Sequence, residues 1–142
     1  MKFIDIHQAN VTGLGAEKFA SSLVSHLKIN QHINVKNIYI NSSISYKIFD
    51  KEEKVISVNY FFGGISRLLE IFLWKLYRRQ ENDLLVLGDL PLNTSTKQYV
   101  LCHQSLIFKK FPITSFSFFK FTLFRIIFKK FLKKNDIVLV QT

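Results

Sequence analysis

The stretch Asp83–Leu92, DLLVLGDLPL, runs from an unbroken apolar segment straight into Gly88-Asp89 and then Pro91. Leu84 to Leu87 carry no alternating polar residue, which describes a strand covered on both faces, the habit of parallel sheets. Gly88, Asp89 and Pro91 then turn the chain. Asp136–Thr142, DIVLVQT, reads the same way. Working outward, KFIDI (Lys2–Ile6), NVKNIYI (Asn34–Ile40), KVISVNY (Lys54–Tyr60) and the weaker KQYVLCH (Lys97–His103) supply the remaining strands.

Helical patterns separate them. Residues 16–27 place Phe19, Leu23 and Leu27 four apart, with Ala20 and Val24 on the adjoining row. Residues 65–79 place Ile65, Leu68, Leu69, Phe72 and Leu76 on one face, with Arg78 and Arg79 in the last turn. A third helix is predicted over Thr114–Lys134, after Pro112. The order β-α-β-β-α-β-β-α-β argues a doubly wound parallel α/β sheet. With no repeat or low-complexity linker, residues 1–142 read as a single domain.

Twenty Lys and Arg against ten Asp and Glu give a net charge of +10. Leu90 to Asn135 holds nine bases and no acid, so nearly all of the excess lies in one part of the chain. Such a field attracts polyanions: nucleic acid, anionic lipid or phosphorylated substrates. It also fits a merely solvated basic face. One cysteine, Cys102, excludes a disulfide framework and suits a reducing cytosol. Asp5 and His7 interrupt any export signal, and Lys120, Arg125, Lys129 and Lys130 interrupt the most apolar stretch, so neither a signal peptide nor a membrane span is expected.

Ligands of open parallel sheets bind beyond the carboxyl ends of the strands, where strand order reverses. Gly13 and Gly15 follow the first strand, and they allow a tight turn into a helix whose free N–H groups attract an anion. A plain tight turn is the alternative. Lys18 occupies the third-glycine position of a dinucleotide fingerprint, and no P-loop is present. Asp89 follows the fourth strand, where it can accept hydrogen bonds from a sugar or shape the turn. Asn93 lies just beyond. His103 ends the next strand. No His and carboxylate spacing suits a metal, so no metal or cofactor is expected.

In order, these pieces resemble the N-terminal half of a GT-B glycosyltransferase of the large retaining family four. TGLGAEKFASSLVSHLKINQHINVKNIYI is similar to that family's glycine turn, Ala-Glu helix and second strand. DLLVLGDLPL with KQYVLCHQSLIF resembles its fourth strand and the strand ending in His, and DIVLVQT resembles the strand before its Gln-Thr/Ser loop. The resemblance implies a Rossmann-like domain on the acceptor side of a two-domain enzyme. It implies transfer of a sugar from a nucleotide-sugar donor to a lipid-linked or saccharide acceptor. Gly13 and Gly15 would then lie near the donor phosphates, His103 near the transferred sugar as the catalytic candidate, and Asp89 and Asn93 near the acceptor. The sequence stops within the last of these motifs, before a donor-binding domain, so the chain is expected to be inactive alone. A non-catalytic partner subunit that docks a separate C-terminal half is the alternative.

Along the third helix, Phe121, Phe124, Ile127, Phe128 and Phe131 form a seam suited to the sheet. The opposite arc mixes Arg125, Lys129, Lys130, Lys133 and Lys134 with Phe119, Leu123 and Ile126. Bases mixed with bulky apolar residues describe a helix lying in a membrane interface, each base contributing on the order of 1 kcal/mol at an anionic leaflet. A core helix buried on two sides is the alternative. The expected location is therefore cytoplasmic, peripheral to the inner face of the cell membrane. No helix-turn-helix or RNA-binding motif is present, so no nucleic-acid partner is expected.

Overall fold

The computed structural model describes residues 2–9, 14–29, 33–42, 54–59, 64–78, 81–102, 112 and 116–140. Its elements are β1 (Lys2–His7), α1 (Leu14–Ile29), β2 (Ile33–Asn41), β3 (Lys54–Val58), α2 (Gly64–Tyr77), β4 (Asp83–Val86), β5 (Gln98–Cys102), α3 (Phe116–Phe131) and β6 (Ile137–Val140). The strands form one all-parallel sheet in the order β3-β2-β1-β4-β5-β6. This is the doubly wound α/β arrangement expected of a Rossmann-like domain. The chain winds outward from β1 to one edge, returns to β4 beside β1, and winds to the other edge.

That reversal distributes the helices. A right-handed connection from β1 to β2 places α1 on one face, while connections running the opposite way place α2 and α3 on the other. Because strand side chains alternate, each face has its own core. Ile4, Ile6, Ile38, Ile40, Leu85 and Leu87 meet Val24 of α1, with Leu23 and Leu27 alongside. On the other face, Tyr39, Val58, Leu84, Val86 and Val100 meet Ile71 and Trp74 of α2 and Ile127 and Phe131 of α3.

The link from β4 to β5 contains no helix. Instead Leu90 and Leu92 bury themselves in the core under α2 and α3. Gln98, fully buried, holds this loop: its Oε1 accepts from Leu92 N at 3.0 Å, and its Nε2 donates to Leu92 O at 3.2 Å and Phe131 O at 3.0 Å. Level with Gln98 across the sheet, through Leu84, the pairing of β1 with β2 shifts between Ile4 and Ile6. There the Asp5 carboxylate accepts from Asn37 N, Asn37 Nδ2 and Asn82 Nδ2 at 3.2, 2.8 and 3.1 Å, so a buried acid stitches three segments together.

Three expectations change. β6, read as covered on both faces, is an edge strand with Ile137, Leu139 and Val140 exposed, because β5 is its neighbour on one side and α1 lies over the other half of the sheet. The third helix ends at Phe131, so Lys133 and Lys134 lie in the turn beyond it. Asp136 makes that turn, accepting the Lys133 N–H at 2.8 Å and the Gln98 N–H at 3.0 Å. The face of α2 is also rotated from the one expected. Ile71 and Trp74 are buried, whereas Ile65, Leu69 and Leu76 are 65%, 53% and 77% exposed.

Candidate functional site

The strand order reverses between β1 and β4, so the crevice lies beyond His7 and Val86. Backbone bonds hold its floor: Leu87 N donates to His7 O at 2.9 Å and Gln8 N to Tyr39 O at 2.8 Å. Asp89 follows at φ 58°, the left-handed region that a non-glycine residue occupies at a cost. Its N–H donates to Leu101 O at 3.3 Å, which ties the turn to β5. Arg67 of α2 donates through Nη2 to Gly88 O at 2.6 Å, so a half-buried guanidinium group braces the same turn.

Beside this turn a groove of about 620 Å³ opens between the N-terminal halves of α2 and α3. Asp89, Leu90 and Arg67 lie at its sheet end, Gly64, Ile65 and Leu68 form the α2 wall, and Phe116, Phe119, Lys120, Leu123 and Phe124 form the α3 wall. A mostly apolar cleft with a few charged groups, reached here by the residues that follow the central strand β4, is the usual form of a small-molecule site. Chemically it offers hydrocarbon packing, one carboxylate to accept from hydroxyl groups, and an ammonium group to meet an anion.

Apart from the groove, α2 packs on a buried polar and aromatic cluster to which the sequence reading assigned no role. His7 Nε2 stands 3.1 Å from Glu70 Oε1, and His7 packs edge-on against Trp74 at 5.0 Å between ring centres. Trp74 in turn meets Tyr39 at 4.8 Å, and Arg78 lies over both rings. Burial, and after it the charge of Asp5, raise the Tyr39 phenol above its ordinary pKa, with Arg78 opposing. One signal could have exposed this cluster: Glu70 is the sole acid in a mostly apolar helix, which suggests a buried partner.

Of the candidates read from sequence, Asp89 lines the groove. Asn93 does not. Its Nδ2 donates to Phe72 O at 2.8 Å and its N–H to Ile71 O at 2.9 Å, so it anchors the loop to α2. Gly15 is the second residue of α1, with helical backbone, and so does not itself form the turn before the helix. Gly13 and His103 lie outside the described residues.

On α3, Phe119, Leu123 and Ile126 are 63%, 38% and 54% exposed. Lys129 and Lys130 are exposed in its last turn, and Arg125 is half-buried. Lys130 Nζ lies 5.2 Å from the Phe72 ring centre, and Lys133 Nζ donates to Thr96 O at 3.0 Å. The sheet-facing seam divides unequally: Phe121, Ile127 and Phe131 are buried, while Phe124 and Phe128 are half-buried. Among the described residues, no cluster of His, Cys, Asp and Glu could hold a metal, and no helix is long and apolar enough to cross a membrane. In comparisons with protein families, curated proteins and solved structures, nothing matches the chain.

Proposed function

We propose that this chain is the acceptor-side domain of a GT-B glycosyltransferase, acting at the cytoplasmic face of a membrane on a lipid-linked or saccharide acceptor. The observation that carries the reading is the groove beside Asp89, at the carboxyl edge where β4 returns to β1. A hydroxyl-bearing acceptor suits a carboxylate held at the end of a central strand, and the apolar walls suit an attached hydrocarbon. The exposed apolar and basic residues of α3 support peripheral attachment to an anionic leaflet. The order of the sequence motifs supports the family. Gly13, Gly15 and His103 keep the donor-side and catalytic roles that the resemblance implies.

Sugar transfer from UDP- and GDP-linked donors to membrane lipid extracts tests this, with the chain alone and with a donor-binding domain of the same fold added. The chain alone is expected to show no turnover. Turnover is expected when the second domain is present, and His103→Ala and Asp89→Asn are expected to reduce it. Robust turnover by the chain alone overturns the assignment to the acceptor half.

A further inference from the structure

We infer that the groove between α2 and α3 binds the hydrocarbon chain of a lipid phosphate, and that it opens onto a membrane-facing surface shared by both helices. The inference deepens the acceptor reading and rests on it for the lipid's role as acceptor, but not for the binding itself.

The phase of α2 carries the argument. With Ile71 and Trp74 turned to the sheet, Ile65, Leu69 and Leu76 face outward together, and a helix serving the core alone would carry polar residues there. Across the groove, α3 presents Phe116 at 83% exposure, followed by Phe119, Leu123 and Ile126. Two adjacent helices thus expose bulky apolar side chains on the same side of the sheet.

Charge selects the occupant. α3 has no acid, and the one acid of α2, Glu70, is engaged with His7. Lys120 stands in the groove wall, with Lys129 and Lys130 further along α3. Apolar walls with a cationic border complement an anionic amphiphile. Asp89, the one carboxylate among the described residues that line the groove, disfavours a phosphate beside it and accepts from hydroxyl groups instead. Arg67, the other cation of the lining, is engaged with Gly88 O beside that carboxylate, so the phosphate is assigned to Lys120. A partner's helix laid in the groove would cover its walls but leave Leu69, Leu76 and Ile126, which are not part of the groove, in water. A lipid interface covers all of them at once, and a groove of this volume lies within the range of ligand sites.

The test is direct binding of dodecyl phosphate, dodecanol and inorganic phosphate to the intact chain by calorimetry. Gly64 lines the groove, and a Cβ added there meets nothing within 4 Å, so Gly64→Phe is the variant chosen to add bulk at the cleft. Dodecyl phosphate is expected to bind saturably and inorganic phosphate not to bind. Gly64→Phe is expected to weaken dodecyl phosphate about tenfold or more by displacing the chain. Lys120→Gln is expected to weaken it about fivefold and to leave dodecanol unchanged. Should Gly64→Phe fail to fold, Phe119→Ser at an exposed position tests the opposite wall. No binding of dodecyl phosphate, or binding unaffected by any of these folded variants, overturns the inference. Capture of an acidic helical peptide in place of dodecyl phosphate overturns it too. Saturable lipid binding by a chain that never supports sugar transfer upholds the cleft and removes the transferase reading. Transfer to a chain-free saccharide, unaffected by Gly64→Phe and without lipid binding, does the reverse.

Discussion

His7 and Glu70 join the last residue of β1 to the middle of α2 through a contact of 3.1 Å, with the imidazole fully buried and the carboxylate 12% exposed. The pair fixes α2 over the crevice where strand order reverses. Neither group is tolerable there alone, since a buried polar group without a partner loses its hydration uncompensated.

Replacing Glu70 by Leu should therefore destabilise the fold by about 1–3 kcal/mol, because His7 is left without that partner. Glu70→Gln, which keeps a hydrogen-bonding oxygen, should lose less. Urea midpoints of the two variants check this. Equal midpoints for Glu70→Leu and the parent would show that the pair does not hold α2.

At Asp89 the expected effects follow backbone conformation. With φ at 58°, Asp89→Gly should be tolerated, whereas Asp89→Val should cost about 1–2 kcal/mol of stability. Asp89→Asn keeps a side chain suited to this conformation but removes the charge, so it should separate folding from acceptor binding. Thermal melts of the three variants give the ranking.

Sedimentation with phosphatidylcholine vesicles, with and without phosphatidylglycerol, tests the membrane surface. Binding should require the anionic lipid and weaken as salt rises. Lys129→Gln with Lys130→Gln should remove most of the salt-sensitive part. Phe119→Ser with Ile126→Ser should remove the salt-resistant part. Lys133 is a poor choice for this purpose, because its ammonium group also holds the Thr96 carbonyl. Equal binding to both vesicle types would count against the basic surface.

Alkaline titration should resolve two tyrosines. The hydrogen bond from Lys2 is the main influence lowering the Tyr99 phenol below its ordinary value of 10.0, with Lys97 adding to it. Tyr39 is raised instead. Ultraviolet titration should find one early phenolate that moves back up in Lys2→Ala. A phenol lowered in the folded state adds stability above the ordinary pKa and loses it as pH falls through the folded-state value, so this contribution is confined to alkaline pH. An unchanged early phenolate in Lys2→Ala would assign it to another residue.

Much of the fold was legible in the residue pattern. An uninterrupted run such as Leu84–Leu87 has few stable settings other than a strand buried on both faces, and alternation of strands with helices leads to a parallel sheet. Asp89 was legible for the same reason, since the residue after a central strand stands at the carboxyl edge wherever that strand lies. Asn93 has a similar position in the sequence, yet its amide is turned to α2, and only the path of the loop decides that.

The phase of a helix that is apolar nearly all round was not legible. GISRLLEIFLWKLY offers several apolar faces, and periodicity ranks Ile65-Leu69-Leu76 as readily as Ile71-Trp74. The His7–Glu70 pair and the fit of Trp74 against Tyr39 and His7 belong to residues far apart in the chain, so they enter when the sheet is assembled. Local sequence determined which segments are strands and helices, because that depends on neighbours within a few residues. Tertiary structure decided which face of α2 is buried, that β6 is an exposed edge, and that apolar residues of α2 and α3 line a groove between them. Those outcomes depend on strand order and on long-range packing, neither of which is encoded in the periodicity of any one segment.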